Sequence, residues 1–149
     1  MKVIIGSDHA GFKYKTIIAE ILQKEGYIVI DKGSYTGLPS DYPDHAADVA
    51  RALQNKEGDR GILVCGSSVG VSIAANKFKG IRAGVCHDTY SAHQSVEHDD
   101  VNILCIGERV IGIELAKDIV SAFLKANFTG EERHVNRLAK ITAIEQGQG

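Results

Sequence analysis

A cysteine followed by a glycine-rich segment is the part of the sequence best suited to chemistry. Cys65 ends an apolar run, Gly66–Gly70 follows, and a helical pattern covers Val69–Lys77. Glycines let a ligand approach the backbone, and the start of a helix favours anions and would lower the pKa of the thiol. The segment lacks the lysine of a P-loop and the glycine spacing of a dinucleotide site. Two interpretations stay open: a reactive thiolate beside an anion, or a structural cysteine before a tight turn.

Histidines and arginines elsewhere could complete a proton-transfer site for an anionic substrate. His9 follows Asp8 directly after the first apolar run, whereas His98 stands before the fifth. Arg133 and Arg137 are four residues apart and share one face of the final helical pattern, where paired guanidinium groups could bind a phosphate. Each of these residues also has a plainer interpretation, as a capping or surface histidine or as solvated charge.

The elements that must position these side chains alternate along the chain. Short apolar runs predict strands, and the amphipathic stretches between them predict helices. The predicted strands are Val3–Gly6, Tyr27–Ile30, Gly61–Cys65, Ile81–Cys86 and Asn102–Gly107. This alternation predicts a single α/β domain over residues 1–149, a three-layer αβα fold with a doubly wound, Rossmann-like, mostly parallel five-stranded sheet. Such sheets bind ligands beyond the carboxyl ends of their strands, where Asp8, His9, Cys65 and Arg109 are expected.

Two further segments have more than one interpretation. The long loop Gly33–Pro43 contains both prolines and is either a surface connection or a loop that borders a site. A final helix is predicted at about 131–145, with an apolar stripe that begins at Val135 and ends at Ile144. That stripe needs a partner surface, either its own sheet or a second subunit.

Composition argues against several classes of function. The net charge is −2 and no basic block occurs, so neither nucleic acid nor a membrane surface is an expected partner. No apolar run approaches the roughly 18 residues of a membrane span, and the first apolar run is too short for a signal peptide. Three cysteines in or beside apolar runs indicate reduced thiols and a cytoplasmic protein. No motif with metal-ligand spacing appears, so no metal site is predicted.

Taken together, the motifs resemble those of one known family. The family is ribose-5-phosphate isomerase type B, and the resemblance covers nearly the whole chain in order. The related galactose-6-phosphate isomerase subunits share much of the pattern. The motifs that carry the resemblance are Asp8-His9-Ala10-Gly11, Asp41-Tyr42-Pro43, Cys65–Gly70, Ala74-Ala75-Asn76-Lys77, His98, and Arg133-His134 with Arg137.

The resemblance implies an aldose–ketose isomerase of carbohydrate metabolism, in the pentose phosphate pathway. It would interconvert ribose 5-phosphate and ribulose 5-phosphate through an enediolate, with neither metal nor cofactor. It would be a homodimer or a dimer of dimers with shared active sites. Two alternatives stay open: an isomerase of six-carbon sugar phosphates such as allose or galactose 6-phosphate, and a non-catalytic module that binds nucleotides or phosphate.

The resemblance also implies roles for individual residues. Cys65 would be the base, Ser67 would relay a proton between O1 and O2, and His98 would open the sugar ring. Arg109 would bind phosphate across the subunit interface. Asp99 stands where many relatives have Asn, which could shift the sugar preference. The implied substrate-binding residues are Asp8, His9, Tyr42, Gly66, Ser67, Ser68, Val69, Gly70, Asp99, Arg109, Arg133 and Arg137.

Overall fold

The sheet has five strands, all parallel, in the order β2-β1-β3-β5-β4. The computed structural model describes residues 1–147, so residues 148 and 149 of the predicted domain lie outside the described residues. The strands are β1 (Lys2–Ser7), β2 (Ile28–Asp31), β3 (Arg60–Cys65), β4 (Ala83–Val85) and β5 (Ile103–Gly107). The predicted α/β fold is confirmed, and the sheet is parallel at every strand pair.

Six helices connect or follow the strands. They are α1 (Phe12–Lys24), α2 (Tyr42–Gln54), α3 (Val69–Ala75), α4 (Thr89–Asp99), α5 (Ile113–Lys125) and α6 (Glu132–Glu145). A 3₁₀ turn at His9–Gly11 leads into α1. None of the helices in this part of the chain combines the length and apolar character that a membrane crossing requires.

Two predicted boundaries differ from the structure around the connection from α3 to β4. The helix was predicted to reach Lys77 but ends at Ala75, because the next residues form tighter turns in which the Phe78 N–H bonds the Ala75 carbonyl. The strand was predicted from Ile81 but begins at Ala83, because the Ile81 N–H bonds back to the Phe78 carbonyl. Both differences are local turns that hydrophobicity does not encode.

Alternation along the strands divides the core into two layers. In β1, Val3 and Ile5 pack with α1, α4 and α5, whereas Ile4 packs with α2 and α3. In β3, Val64 faces the first layer and Cys65 faces the second. Successive side chains of a strand point to opposite faces, so strands covered by helices on both sides must be apolar at consecutive positions. The three-layer αβα arrangement is therefore confirmed.

The final helix lies outside these layers. Of the 14 residues of α6, only His134 is buried, and the helix packs against α4. Val135, Ile141 and Ile144 remain 46%, 47% and 67% exposed. The predicted apolar stripe therefore does not cover the sheet of its own chain.

Gly11 allows the turn before α1 to touch the backbone of β3. A methyl group built at Gly11 would lie 2.3 Å from the Val64 carbonyl oxygen and 2.7 Å from the Cys65 nitrogen. Both atoms belong to a central strand whose hydrogen bonds prevent it from moving aside. Only a glycine therefore fits at this contact.

We expect Gly11→Ala to lower the free energy of unfolding by about 2 kcal/mol or more, as overpacking of a rigid core does. Denaturant titration measures this change. Gly84→Ala is the matched control, because its new methyl group would lie 3.5 Å from the Val101 side chain, an ordinary contact. Equal unfolding midpoints for the two variants would show that the turn is free to move away from β3.

Candidate active site

A cleft of about 350 Å³ opens at the carboxyl ends of β1, β3 and β5. Because these three strands are neighbours, the residues that follow them meet at one edge of the sheet. The volume suits a small ligand. The lining residues are Asp8, His9, Ala10, Cys65, Gly66, Ser67, Arg109 and Val110.

Cys65 and Asp8 form the centre of the cleft. The Cys65 Sγ donates a hydrogen bond to Asp8 Oδ2 at 3.1 Å, and Cys65 is only 9% exposed. The other carboxylate oxygen, Oδ1, accepts from the N–H groups of Ala10 at 3.0 Å and Gly11 at 3.1 Å. The Asp8 side chain is thus held by the 3₁₀ turn on one side and receives the thiol on the other.

The environment of Cys65 favours the protonated thiol. Burial raises its pKa, and the hydrogen bond and negative charge of Asp8 raise it further, while the N–H groups of Gly66 and Ser68 oppose the shift. The N–H groups ahead of the following helix thus lower this pKa as expected, but the net shift is upward. Burial and an adjacent carboxylate outweigh two backbone N–H groups, since both disfavour a second negative charge.

The glycine-rich segment forms a tight turn under two covering side chains. Ser68 has φ +69°, and its Oγ donates to the Ser67 carbonyl at 2.5 Å. A methyl group at Gly70 would lie 2.7 Å from the Tyr42 ring, so glycine lets Tyr42 cover the turn. The Arg109 side chain lies beside Gly66, where an added methyl group would be 3.5 Å from Nη1. Arg109 thus lines the cleft of its own chain, whereas the sequence analysis expected it to act across the interface.

The loop Gly33–Pro43 borders the cleft through His9. The Ser40 N–H donates to His9 Nδ1 at 3.3 Å. A neutral imidazole that accepts at Nδ1 carries its proton on Nε2, so His9 presents a donor at its other nitrogen. Of the two interpretations of this loop, the structure supports the one in which it borders a site. Ser40 was missed by sequence reasoning because it acts through its backbone, which gives no residue-type signal.

The remaining predicted site residues lie toward the amino ends of the strands, at the opposite edge of the sheet from the cleft. They are His98, Asp99, Arg133 and Arg137. Helix α4 starts after the carboxyl end of β4 and runs back about 16 Å, so His98 and Asp99 stand near the amino ends of the strands. Arg133 and Arg137 lie on α6, which packs against α4. The structure therefore does not bring these four residues together with Cys65 within one chain.

His98 has its own set of contacts at that edge. Its ring stacks on His134, with 4.2 Å between the ring centroids, and its Nδ1 lies 2.9 Å from Gln94 Nε2. Burial lowers the pKa of His134, and the neighbouring His98 lowers it further. Arg133 forms an exposed ion pair with Glu131 at 2.9 Å. The buried His134 ring, the half-buried His98 ring and the exposed Arg133 cation thus lie close together where α6 packs against α4.

Metal binding has no visible basis in residues 1–147. No group of three or more His, Cys, Asp or Glu side chains in that range could hold a metal ion. The cleft itself is lined by a thiol, a carboxylate, an imidazole, a guanidinium and backbone groups.

Comparison with known proteins agrees with this geometry. The model of the ribose/galactose isomerase family matches residues 3–141. The chain belongs to this family. It is 52% identical to ribose-5-phosphate isomerase B of Escherichia coli K12 over 145 residues, which cover 97% of each chain.

Solved structures of family members resemble the whole chain. Ribose-5-phosphate isomerase B of Clostridium thermocellum superposes with a TM-score of 0.97 at 52% identity and covers 100% of both chains. The enzyme of Mycoplasma genitalium, solved with bound ribulose 5-phosphate, gives a TM-score of 0.90 at 41% identity and covers 97% of this chain and 96% of that one. The protein of this sequence is an isomerase.

We expect Asp8→Asn to lower the pKa of Cys65, because it removes the negative charge that opposes the thiolate. The rate of Cys65 alkylation by iodoacetamide, followed by peptide mass spectrometry across pH, should then reach its midpoint at lower pH. Asp118→Asn, an exposed change on α5, is the control and should leave the midpoint unchanged. An identical midpoint in Asp8→Asn would mean that burial alone sets the pKa of the thiol.

Proposed function

We propose that the enzyme interconverts ribose 5-phosphate and ribulose 5-phosphate through an enediolate, with Cys65 as the base and without a metal ion. The observation that carries this proposal is the buried Cys65–Asp8 hydrogen bond inside a cleft large enough for a pentose phosphate. The relative in Escherichia coli is named for the same substrate, and the Mycoplasma genitalium relative was solved with the ketose product bound, whereas two other relatives are named D-erythrulose-4-phosphate isomerases.

The base forms when the thiol gives up its proton to the carboxylate that already accepts its hydrogen bond. Asp8 Oδ2 lies 3.1 Å from Sγ, so no rearrangement is needed for this transfer. The thiolate then removes the proton from C2 of the open-chain aldose and returns it to C1, while the Ser67 hydroxyl relays the proton of O2 to O1. Because the pKa of Cys65 is raised, its thiolate is a strong base once it has formed, which favours removal of a carbon-bound proton.

The enediolate carries negative charge on oxygen and needs donors in fixed positions. The turn Gly66–Gly70 supplies backbone N–H groups, and Ser68 in its left-handed conformation directs the turn toward the start of α3. Donors that are already in place before the charge develops stabilise a transition state more than donors that must reorient. The Tyr42 ring packs against this turn at Gly70.

The phosphate group is held at the ends of the cleft. His9 presents its Nε2 proton and Arg109 its guanidinium from the same chain as Cys65. Arg133 and Arg137 would add bidentate contacts, but within one chain they lie at the other edge of the sheet. Binding energy from the phosphate orients the carbons that react.

A second copy of the chain would complete the site. The predicted residues form two groups at opposite edges, and α6 presents an apolar stripe that its own chain leaves exposed. In a two-fold dimer, every contact between one residue and a different residue of the partner occurs twice, so His98 and Arg137 of each chain could reach the cleft that contains Cys65 in the other. His98 would then open the furanose ring before the proton transfer begins.

The function is tested by incubating the purified enzyme, in excess chelator, with ribose 5-phosphate, allose 6-phosphate and galactose 6-phosphate. We expect Cys65→Ala to reduce kcat for ribose 5-phosphate at least a hundredfold, about 2.7 kcal/mol in the barrier, while substrate affinity stays within a few-fold. Loss of the base affects the chemical step and leaves the phosphate contacts in place.

Cys86→Ala is the matched control, since Cys86 is a buried cysteine that does not line the cleft. It should retain activity. Turnover of Cys65→Ala above a tenth of the wild-type value would remove Cys65 as the base. Preference for a six-carbon substrate would correct the proposed sugar, and a loss of activity restored by a divalent cation would overturn the metal-free mechanism.

We expect a mixture of Cys65→Ala and His98→Ala chains to regain activity that neither variant has alone. Each mixed dimer would contain one site with an intact Cys65 from one chain and an intact His98 from the other. Random exchange makes about half of the dimers mixed and thus restores about a quarter of the wild-type sites. Mass spectrometry of differently tagged chains establishes the exchange, and the assay measures the ketose.

The control mixture combines Cys65→Ala with the double variant Cys65→Ala/His98→Ala, which together offer no intact Cys65. It should stay inactive. If chains exchange fully and the first mixture also stays inactive, the two residues do not serve the same shared site.

A further inference from the structure

Lys15 is a buried cation that the proposed chemistry does not use. Only 1% of the residue is exposed. Its Nζ donates to Asp31 at 2.9 Å (Oδ1) and 2.7 Å (Oδ2), and to the Ser34 carbonyl at 2.6 Å. The ammonium also lies 5.4 Å from the ring centroid of Phe12 and 5.6 Å from that of Tyr35. The ion pair joins a buried ammonium to a half-exposed carboxylate. Such a pair adds little net stability compared with apolar packing, but it fixes the position of the groups that it joins.

The three acceptors of Lys15 lie where β2 ends and the long loop begins. Asp31 is the last residue of β2, and its Oδ1 also accepts from the Gly33 N–H at 2.8 Å. The Ser34 N–H donates to the Ser7 carbonyl at 2.6 Å, and the Ser7 N–H donates to the Gly33 carbonyl at 2.7 Å. Lys15 therefore holds this segment beside Ser7, the residue that precedes Asp8.

The loop that leaves this clamp supports the phosphate end of the cleft. Its Gly37 packs against the Phe12 ring, to which an added methyl group would approach within 2.9 Å. Its Ser40 orients His9 through the backbone N–H and bonds His45 Nε2 through Oγ at 2.9 Å. The loop then leads into α2 at Tyr42, over the glycine-rich turn. The contact of Ser40 with His9 and the position of Tyr42 over the glycine-rich turn therefore both depend on where the loop starts.

We propose that Lys15 is a positioning residue, which acts through Asp31 and Ser34 to hold the loop Gly33–Pro43 so that His9 and Tyr42 face the substrate. This inference rests on the proposed function for the identity of that substrate. Asp8 and Cys65 are held independently by the pairing of β1 with β3. Loss of Lys15 should therefore weaken phosphate binding far more than it slows the proton transfer.

The test is Lys15→Met, which keeps the length of the side chain and removes its charge and donors. We expect KM for ribose 5-phosphate to rise about tenfold while kcat stays within about threefold, and the Kd for inorganic phosphate to rise by a similar factor. If Lys15 served stability alone, Lys15→Met would lower the melting temperature and leave KM for ribose 5-phosphate and the Kd for inorganic phosphate of the folded enzyme unchanged.

Lys32→Met is the matched control. Lys32 follows Asp31 directly and forms an ion pair with Glu57 at 2.6 Å, so its loss removes a similar bond without touching the clamp. It should bind substrate as the wild type does. If Lys15→Met fails to fold, Asp31→Asn weakens the same clamp from its exposed side and should raise KM and the phosphate Kd in the same direction.

Three results would overturn the inference: constants equal to those of Lys32→Met, a fall in kcat with an unchanged KM, or an unchanged KM and phosphate Kd in Asp31→Asn. The phosphate titration separates this inference from the proposed function. If the wild-type enzyme does not isomerise ribose 5-phosphate, the proposed function fails, while the effect of Lys15→Met on phosphate binding still decides the role of Lys15.

Discussion

The parallel pairing of β1 with β3 is the contact on which the cleft depends. Ser7 lies opposite Val64 in this register, so Asp8, which follows β1, lies beside Cys65, the last residue of β3. The two strands are neighbours in the sheet but not along the chain, since β2 comes between them in sequence and pairs with the other side of β1. The strand order therefore reverses between β1 and β3. In doubly wound sheets, ligands bind in the crevice at such a reversal. The pairing of the two strands places a buried thiol next to a carboxylate, and the loops contribute only the groups around them.

The same pairing places the Cys65 thiol beside a negative charge, which opposes the thiolate that the proposed reaction needs. Burial and Asp8 hold Cys65 as a thiol in the free enzyme, whereas proton abstraction needs the thiolate. A hydrogen bond from thiol to carboxylate gives the proton a short path and an acceptor. The cations and hydrogen-bond donors lie around this pair or away from it. His9 and Arg109 line the same cleft, whereas those of α4 and α6 lie toward the amino ends of the strands. Within one chain, the predicted site residues that lie away from the cleft are His98 and Asp99 on α4 and Arg133 and Arg137 on α6.

The sequence was most informative where buried strands end. Short apolar runs predicted all five strands, and residues at or just beyond the ends of three of them line the cleft, Asp8, Cys65 and Arg109 among them. Charge balance around Cys65 could not be predicted, because the distance of Asp8 from the thiol depends on strand register. The same limit hid Ser40 and the clamp at Lys15, whose partners are distant in sequence. The resemblance supplied His98 and Arg137, and the fold explains their distance from Cys65 within a chain.

The central claim is that a side-chain base moves a proton between C2 and C1 of the sugar. Isomerisation of ribose 5-phosphate in ²H₂O, followed by NMR of both sugars over many turnovers, tests it most directly. An ionised enediolate intermediate exchanges its proton with solvent through the base, so we predict deuterium at C1 of ribulose 5-phosphate and at C2 of ribose 5-phosphate. Complete retention of the original hydrogen in both sugars at equilibrium would contradict proton transfer and indicate an internal hydride shift.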